Sequence, residues 1–181
     1  MLADVIVDSN LSYRIQESAG MNFGSKVITG GFETWPVGRA VPSSLKKLAA
    51  EIFAFDALIQ NPDRRAEKPN ILWKGDDLYI IDHEMGFSFI YDILPVPCPW
   101  KATNMKFMRN HLFHAALKNE MINLDRFIGV LELLSDNDLR VIEENVPIQW
   151  RTNSLGKIMG HIRDAAQHAN HFADEVRRTL R

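Results

Sequence analysis

The sequence has little of several features that would assign it to a protein class. It contains one cysteine, Cys98, among 181 residues, so no disulfide can form within the chain. Its apolar runs, such as residues 87–90, are far shorter than the ~18 residues of a membrane-spanning helix. No basic region precedes the first apolar residues, as a signal peptide would require. These absences predict a cytoplasmic protein that does not contact a membrane.

The chain also lacks a strong excess of charge of one sign. Its formal net charge is −2, so no basic field predicts a nucleic acid partner. No G-x-G-x-x-G motif is present, and the early glycines do not form a phosphate-binding loop. With 46% hydrophobic and 24% charged residues, the composition is that of an ordinary globular protein. The length predicts one domain, or one lobe of something larger.

The pattern of apolar residues predicts an α+β fold that is mostly α. We expect short strands at residues 3–7 and 26–29 with a polar loop between them, and a helix at 43–59 capped by Ser43 or Ser44. A β-hairpin follows, with strands at 70–74 and 78–81 joined by a turn at 75–77. Prolines then predict an irregular connection, and helices are expected at 104–117, 124–134, 136–144 and 153–179.

Polar residues at the ends of this hairpin indicate a site. Asp63 follows the first helix, Asn70 begins the hairpin, and Asp82 ends its return strand. Antiparallel pairing brings Asn70 and Asp82 close together, with Asp63 beside them. Oxygen ligands of this kind suit a hard cation such as Mg²⁺. Phosphoryl transfer uses a similar set, in which one aspartate orients the attacking hydroxyl and an Asn/Asp pair holds the metal.

The segments that carry these residues resemble HipA-like kinases and, more distantly, phosphatidylinositol 4-kinases. The similar stretches are residues 55–65, 68–72 and 78–84. The resemblance implies the helical C-terminal lobe of a protein-kinase-like fold, with residues 1–40 as a short strand and hinge-like segment and 41–181 as the lobe, including the catalytic-loop hairpin 61–84. It implies ATP-dependent phosphotransfer to a protein hydroxyl, with ATP and Mg²⁺ as cofactors. Asp63 would be the catalytic aspartate, and Asn70 and Asp82 the metal ligands.

Two departures from the family pattern leave alternatives open. Lys68 stands five residues after Asp63, where relatives carry an asparagine. Either Asn70 takes over as ligand, or Lys68 supplies positive charge in the metal's place, or metal binding is impaired. Too few residues precede Phe23 to build the lobe that grips the phosphates, so we expect a fragment, half of a split enzyme or a degenerate relative. The alternative function is a non-enzymatic, pseudokinase-like interaction module; a lipid kinase is disfavoured because no membrane-binding face is apparent.

The sequence also leads to expectations about binding partners and about two residues next to the site. Besides the nucleotide, we expect a protein partner (an antitoxin-like protein among them) or self-association through apolar groups near Val5, Val7, Phe23 and Phe32. Arg64 is expected either to bind phosphate or to form a salt bridge with Asp56 or Asp82. His83 is expected to be either an orienting hydrogen-bond donor or a switch near neutral pH.

Overall fold

A computed structural model of the protein describes residues 9–181, which divide into two compact units after residue 30. In the described part of the first unit, helix α1 spans Ser9–Glu17. The strand predicted at residues 26–29 was wrong, because this stretch pairs with no other strand among the described residues. The strand predicted at 3–7 lies outside the described residues. The division predicted at residue 40 stays a prediction.

A three-stranded antiparallel sheet opens the second unit. Its strands are β1 (Glu33–Thr34), β2 (Ile71–Lys74) and β3 (Asp77–Ile80), in the order β1-β2-β3. The register pairs Ile71 with Ile80 and Lys74 with Asp77, so the predicted hairpin is present. Gly75, with φ of +58°, supplies the positive φ that a two-residue hairpin turn requires at its first position.

Helix α2 (Lys46–Leu58) is the central element of the core, and a 3₁₀ turn at Ser43–Leu45 precedes it. Most of its residues are buried, and its alanines allow α3 and α7 to pack closely. The predicted serine caps were wrong. No side chain caps either helical segment, and Ser44 Oγ donates instead to Asp76 Oδ1 at 3.0 Å.

The remaining helices are α3 (His114–Leu117), α4 (Asp125–Glu132), α5 (Asp136–Asn145), α6 (Asn153–Gln167) and α7 (Ala169–Arg178). Short 3₁₀ turns lie at Ser88–Tyr91, Lys106–Asn110 and Ile148–Trp150. Helix α4 packs against α6 and α7, and α5 packs against α6. The fold is therefore mostly α with a small antiparallel sheet, and the predicted class is confirmed.

Two predicted helices are interrupted. The helix expected at 104–117 is a 3₁₀ turn followed by the short α3, because His111 adopts an extended conformation between them (φ −62°, ψ 140°). The helix expected at 153–179 divides at His168, whose φ of −122° and ψ of 34° lie outside the helical region. Neither break occurs at a proline or glycine, which is why the sequence did not indicate them.

None of the helices in the described part of the chain combines the length and apolar character needed to cross a bilayer.

Candidate active site

The loop after α2 holds Asp63 in a fixed position. Asn61 Oδ1 accepts a hydrogen bond from the backbone nitrogen of Asp63 at 3.1 Å, which is an Asx turn. The Asn61 side chain also donates to Asp56 Oδ1, in the last turn of α2, at 3.0 Å. The Asp63 carboxylate is 12% exposed at the surface of this loop. A buried helix thus sets the backbone position of a partly accessible carboxylate.

A tight turn brings Lys68 back towards Asp63. The backbone groups of Arg65 and Lys68 exchange two hydrogen bonds, at 3.1 and 3.2 Å. Arg65 also forms an isolated β-bridge with His111, which ties the turn to the helical part of the fold. The loop is therefore ordered by backbone hydrogen bonds at both of its ends.

The two ends of the hairpin present Asn70 and Asp82. The backbone nitrogen of Ile81 donates to the Asn70 carbonyl at 3.0 Å, so pairing continues one step beyond β2 and β3. Asn70 and Asp82 have φ values of +49° and +55°. This left-handed region is unfavourable for most side chains but is populated by asparagine and aspartate. Both residue types therefore suit the backbone as well as the proposed chemistry.

Lys68 joins the predicted site residues. Its Nζ atom lies 2.6 Å from Asp63 Oδ2 and 3.1 Å from Asp82 Oδ2. The Asn70 amide nitrogen donates to the same Asp63 oxygen at 3.4 Å. Hydrogen bonds to Asp63, then to Asp82, raise the pKa of Lys68, so its ammonium stays charged. The structure thus brings Asp63, Asn70 and Asp82 together around one lysine.

The buried side chain of Arg64 links the residues around Lys68 to the core. The Arg64 side chain is completely buried, and its Nε donates to Asp56 Oδ2 at 2.5 Å. Its Nη1 donates to the backbone carbonyl of Asn70 in a short hydrogen bond. Of the alternatives for Arg64, the salt bridge to Asp56 is the one observed. Arg64 connects α2, the Asp63 loop and the entry of the hairpin.

His111 completes this buried network. Its Nδ1 accepts from the backbone nitrogen of Phe113 at 3.0 Å, so its Nε2 carries the proton and donates to Asp56 Oδ2 at 3.0 Å. Burial lowers the pKa of His111, which is neutral at pH 7. Burial would raise the pKa of Asp56, but hydrogen bonds from His111 and Arg64 and the Arg64 charge outweigh it, and the net pKa is lowered. One ion pair, Arg64 with Asp56, is therefore buried under the site.

A family comparison decides the relationship of the chain. The family model described as HipA-like kinase matches residues 7–180, almost the whole sequence. The chain belongs to the HipA-like kinase family. No curated protein and no solved structure gives a significant match. Membership supports a kinase-like function, and hence a transferase, in general terms.

The segment after Asp82 is fastened to the start of the loop that follows α2. The Phe87 backbone nitrogen donates to the Ile59 carbonyl in a short hydrogen bond, and Ser88 Oγ donates to the Gln60 carbonyl at 2.9 Å. A Cβ atom at Gly86 would lie 3.0 Å from the His83 carbonyl oxygen, so a side chain would need a backbone shift there. Gly86 therefore allows the backbone of this segment to pass close to His83 and Ile59.

His83 turns inward, towards the buried network. Because Arg64 Nη2 can only donate, His83 Nε2 accepts this hydrogen bond at 3.0 Å. Burial, then the Arg64 charge, lowers the pKa of His83. The expected donor role of His83 was therefore wrong for this hydrogen bond, in which its Nε2 accepts from Arg64.

Sequence reasoning named Asp56 only as one possible partner of Arg64, and it missed the contribution of His111. One signal was present for Asp56, which lies among the apolar residues of the last two turns of α2, where a carboxylate requires a buried partner. His111 gave no such signal, because its pattern is that of a helix-face or core residue. Its role depends on the extended backbone that interrupts the predicted helix.

The oxygen-bearing side chains of the site can be compared with the needs of Mg²⁺, the metal that the family implies. Mg²⁺ takes six oxygen ligands, commonly one or two carboxylates with waters and substrate phosphates. The described residues contain no group of three or more His, Cys, Asp or Glu side chains placed to hold a metal. Lys68 already contacts the two acidic residues, and Asn70 directs its amide nitrogen to Asp63. In this arrangement the residues do not fit a protein-bound Mg²⁺.

Proposed function

We propose that the protein is an ATP-dependent phosphotransferase that acts on a protein hydroxyl. The observation that supports it most directly is the Asp63 carboxylate. It is held by the Asn61 turn at 12% exposure, and Lys68, Asn70 and Arg65 surround it. A fixed, accessible carboxylate of this kind can accept the proton of an incoming hydroxyl group.

Each residue of the site has a distinct part in this proposal. Asp63 orients the acceptor hydroxyl and takes its proton as the oxygen forms a bond to the γ-phosphorus and ADP leaves. Lys68 and Arg65, whose side chains are 41% and 47% exposed, supply positive charge for the phosphate oxygens. Asp82 is the second carboxylate that holds the Lys68 ammonium group. No step is assigned to magnesium, although Asp82 and Asn70 remain its proposed ligands should Lys68 move away.

Replacing Asp63 with asparagine tests the proposal. The variant keeps the size of the side chain but removes its proton-accepting charge. We expect transfer of the γ-phosphate of ATP, to the chain itself or to a generic acceptor protein, to fall by about 10²–10⁴-fold, the usual worth of a general base. Radiolabelled ATP and mass spectrometry of the phosphorylated residue provide the measurement.

The control is Asp77→Asn, which changes an exposed carboxylate beside the hairpin turn. This variant should transfer phosphate at the wild-type rate. Equal loss in both variants, or undiminished transfer by Asp63→Asn, would contradict the role of Asp63.

A non-enzymatic interaction module is the second candidate, and Lys68 supports it. Its ammonium group satisfies both acidic residues without a metal or a nucleotide. A folded wild-type chain that transfers no phosphate, yet binds a protein partner, would establish this function in place of the first. A cytoplasmic location and an antitoxin-like partner are parts of the proposal under either function.

We also propose that the chain associates with itself or with a protein partner. Phe23, which is 82% exposed, lies in one stretch with the exposed Met21 and Val27. Phe32 is only half-buried, with its ring edge-on to Tyr79 at 4.9 Å, whereas Val5 and Val7 lie outside the described residues. Apolar side chains exposed in this way are typical of interaction surfaces when a partner covers them.

Light scattering over a concentration series tests the association. We expect a mass above that of one chain at high concentration, and a shift towards the monomer in Phe23→Ser. Tyr13→Ser, at an exposed residue of α1, is the control and should leave the mass unchanged. A strictly monomeric wild type without a partner would exclude self-association.

A further inference from the structure

The position between the two site carboxylates is already occupied by a positive charge. Lys68 Nζ lies 2.6 Å from Asp63 and 3.1 Å from Asp82, so one ammonium group contacts both. A divalent ion shared by these carboxylates would need oxygen contacts of about 2.0–2.1 Å in the same space. The ammonium group and the metal ion therefore cannot both be in this place.

The backbone favours the lysine in this position. The reciprocal hydrogen bonds between Arg65 and Lys68 close a turn, and this turn returns the lysine towards Asp63. Arg64, one residue earlier, is fixed in the core through Asp56. The lysine side chain itself is 41% exposed, so it can leave without disturbing the core.

The other potential ligand is also engaged. The Asn70 amide nitrogen donates to Asp63 Oδ2, the oxygen that Lys68 contacts. Asp63 Oδ1 has the Arg65 guanidinium at 3.4 Å. Positively charged groups and a hydrogen-bond donor thus surround the Asp63 carboxylate. They occupy the oxygen atoms that a metal ion would need.

We infer that Lys68 is a resident counter-ion of the site, which a divalent cation must displace from Asp82 before it can bind. The nucleotide-free chain is then a poor binder of divalent ions because of the ammonium group, and not because a ligand is missing. Lys68 thereby regulates metal entry to the site. This inference rests on the proposed function, which identifies these residues as the site of phosphate transfer. Its test measures metal binding alone and needs neither a nucleotide nor enzymatic activity.

The experiment measures Mn²⁺ binding by electron paramagnetic resonance and calorimetry in Lys68→Met, Lys68→Asn and the wild type. Lys68→Met removes the charge and adds no oxygen ligand, whereas Lys68→Asn also adds one. We expect both variants to bind Mn²⁺ at least about tenfold more tightly than the wild type, the scale on which residues next to metal ligands change affinity. The double variant Lys68→Met with Asp82→Asn should bind Mn²⁺ as weakly as the wild type does. Lys106→Asn, at an exposed lysine in the 3₁₀ turn before His111, should bind like the wild type.

Two results would overturn the inference. Wild-type binding as tight as that of Lys68→Met would mean that the ammonium group does not compete with the metal. A gain in Mn²⁺ affinity in Lys68→Asn but not in Lys68→Met would mean that a missing ligand limits metal binding. A Mn²⁺-induced rise in the unfolding midpoint, larger in Lys68→Met than in the wild type, is a second readout that also shows that the variant is folded. Phosphate transfer lost in every form, with the Mn²⁺ result as expected, would refute the kinase proposal and leave the role of Lys68 in place.

Discussion

Replacing Arg64 with methionine is expected to lower the free energy of unfolding by about 3–5 kcal/mol, the usual cost of leaving one partner of a buried ion pair unpaired. The side chains of Arg64 and Asp56 are both completely buried. Methionine fills much of the volume but leaves the Asp56 carboxylate, among the described residues, with His111 and Asn61 as its donors. It also removes the hydrogen bonds that Arg64 donates to the Asn70 carbonyl and to His83. Urea denaturation followed by circular dichroism measures the loss.

Arg65→Met is the matched control for this prediction. Arg65 is the next residue along the chain, but its side chain is 47% exposed and its Asp63 contact is long. Exposed ion pairs contribute about 0–1 kcal/mol, so this variant should unfold close to the wild type. A double variant, Asp56→Leu with Arg64→Met, should lose less than the sum of its single variants because no charge stays unpaired. Equal stability of Arg64→Met and Arg65→Met would refute the structural role of Arg64.

The protein should lose stability steeply as the pH falls below about 6.5, the ordinary pKa of histidine. Burial lowers the pKa values of His111, His161 and His83, so these groups stay neutral in the folded state. In the unfolded chain they take up protons near pH 6.5. Because the unfolded state then binds more protons, stability is fully present above this pH and falls as the solution is acidified.

His161 illustrates why protonation is costly. Its Nε2 donates to the Leu58 carbonyl at 2.6 Å, and its Nδ1 is buried without a partner among the described residues. A proton on Nδ1 would create a buried donor with no acceptor as well as a buried charge. The lowered pKa of Asp56 extends the loss of stability to more acidic solution, since burial opposes its charge but His111 and Arg64 hold it ionised.

Unfolding by urea at several pH values between 8 and 5 measures this dependence. Each histidine contributes at most about 1.36 kcal/mol per pH unit, the free energy of one proton. His111→Gln should reduce the slope of the unfolding free energy against pH, because it removes one of the buried histidines whose pKa is lowered. A stability that is flat across this range would show that the buried histidines are not neutral in the folded protein.

The sequence predicted the parts of the site that depend on local patterns. The alternation of apolar residues and the Gly75-Asp76 turn indicated the hairpin, and antiparallel pairing then placed Asn70 near Asp82. The Asn-Pro dipeptide marked the end of α2. These features depend on the backbone preferences of a few neighbouring residues, and these preferences are strong enough to be kept in the folded protein.

The parts that were missed depend on contacts between distant segments. His111 meets Asp56 across 55 residues of sequence, and His161 meets Leu58 across 103. The helix at 104–117 is interrupted where His111 reaches Asp56, although its local sequence favours a helix. Lys68 was noticed as a departure from the family pattern, but only the folded loop showed that one ammonium group contacts two carboxylates. Tertiary contacts of this kind override helix propensity.

The hairpin has two ends that differ in how they can open. At one end, the Asn70 carbonyl accepts from both Ile81 and the buried Arg64, so separation of the strands there would break into the core. At the other end, Gly75 and Asp76 are exposed, and local unfolding can begin there at little cost. The chain should therefore accommodate insertions in this turn, because the added residues enter solvent and leave the spacing of Asp63, Asn70 and Asp82 unaltered.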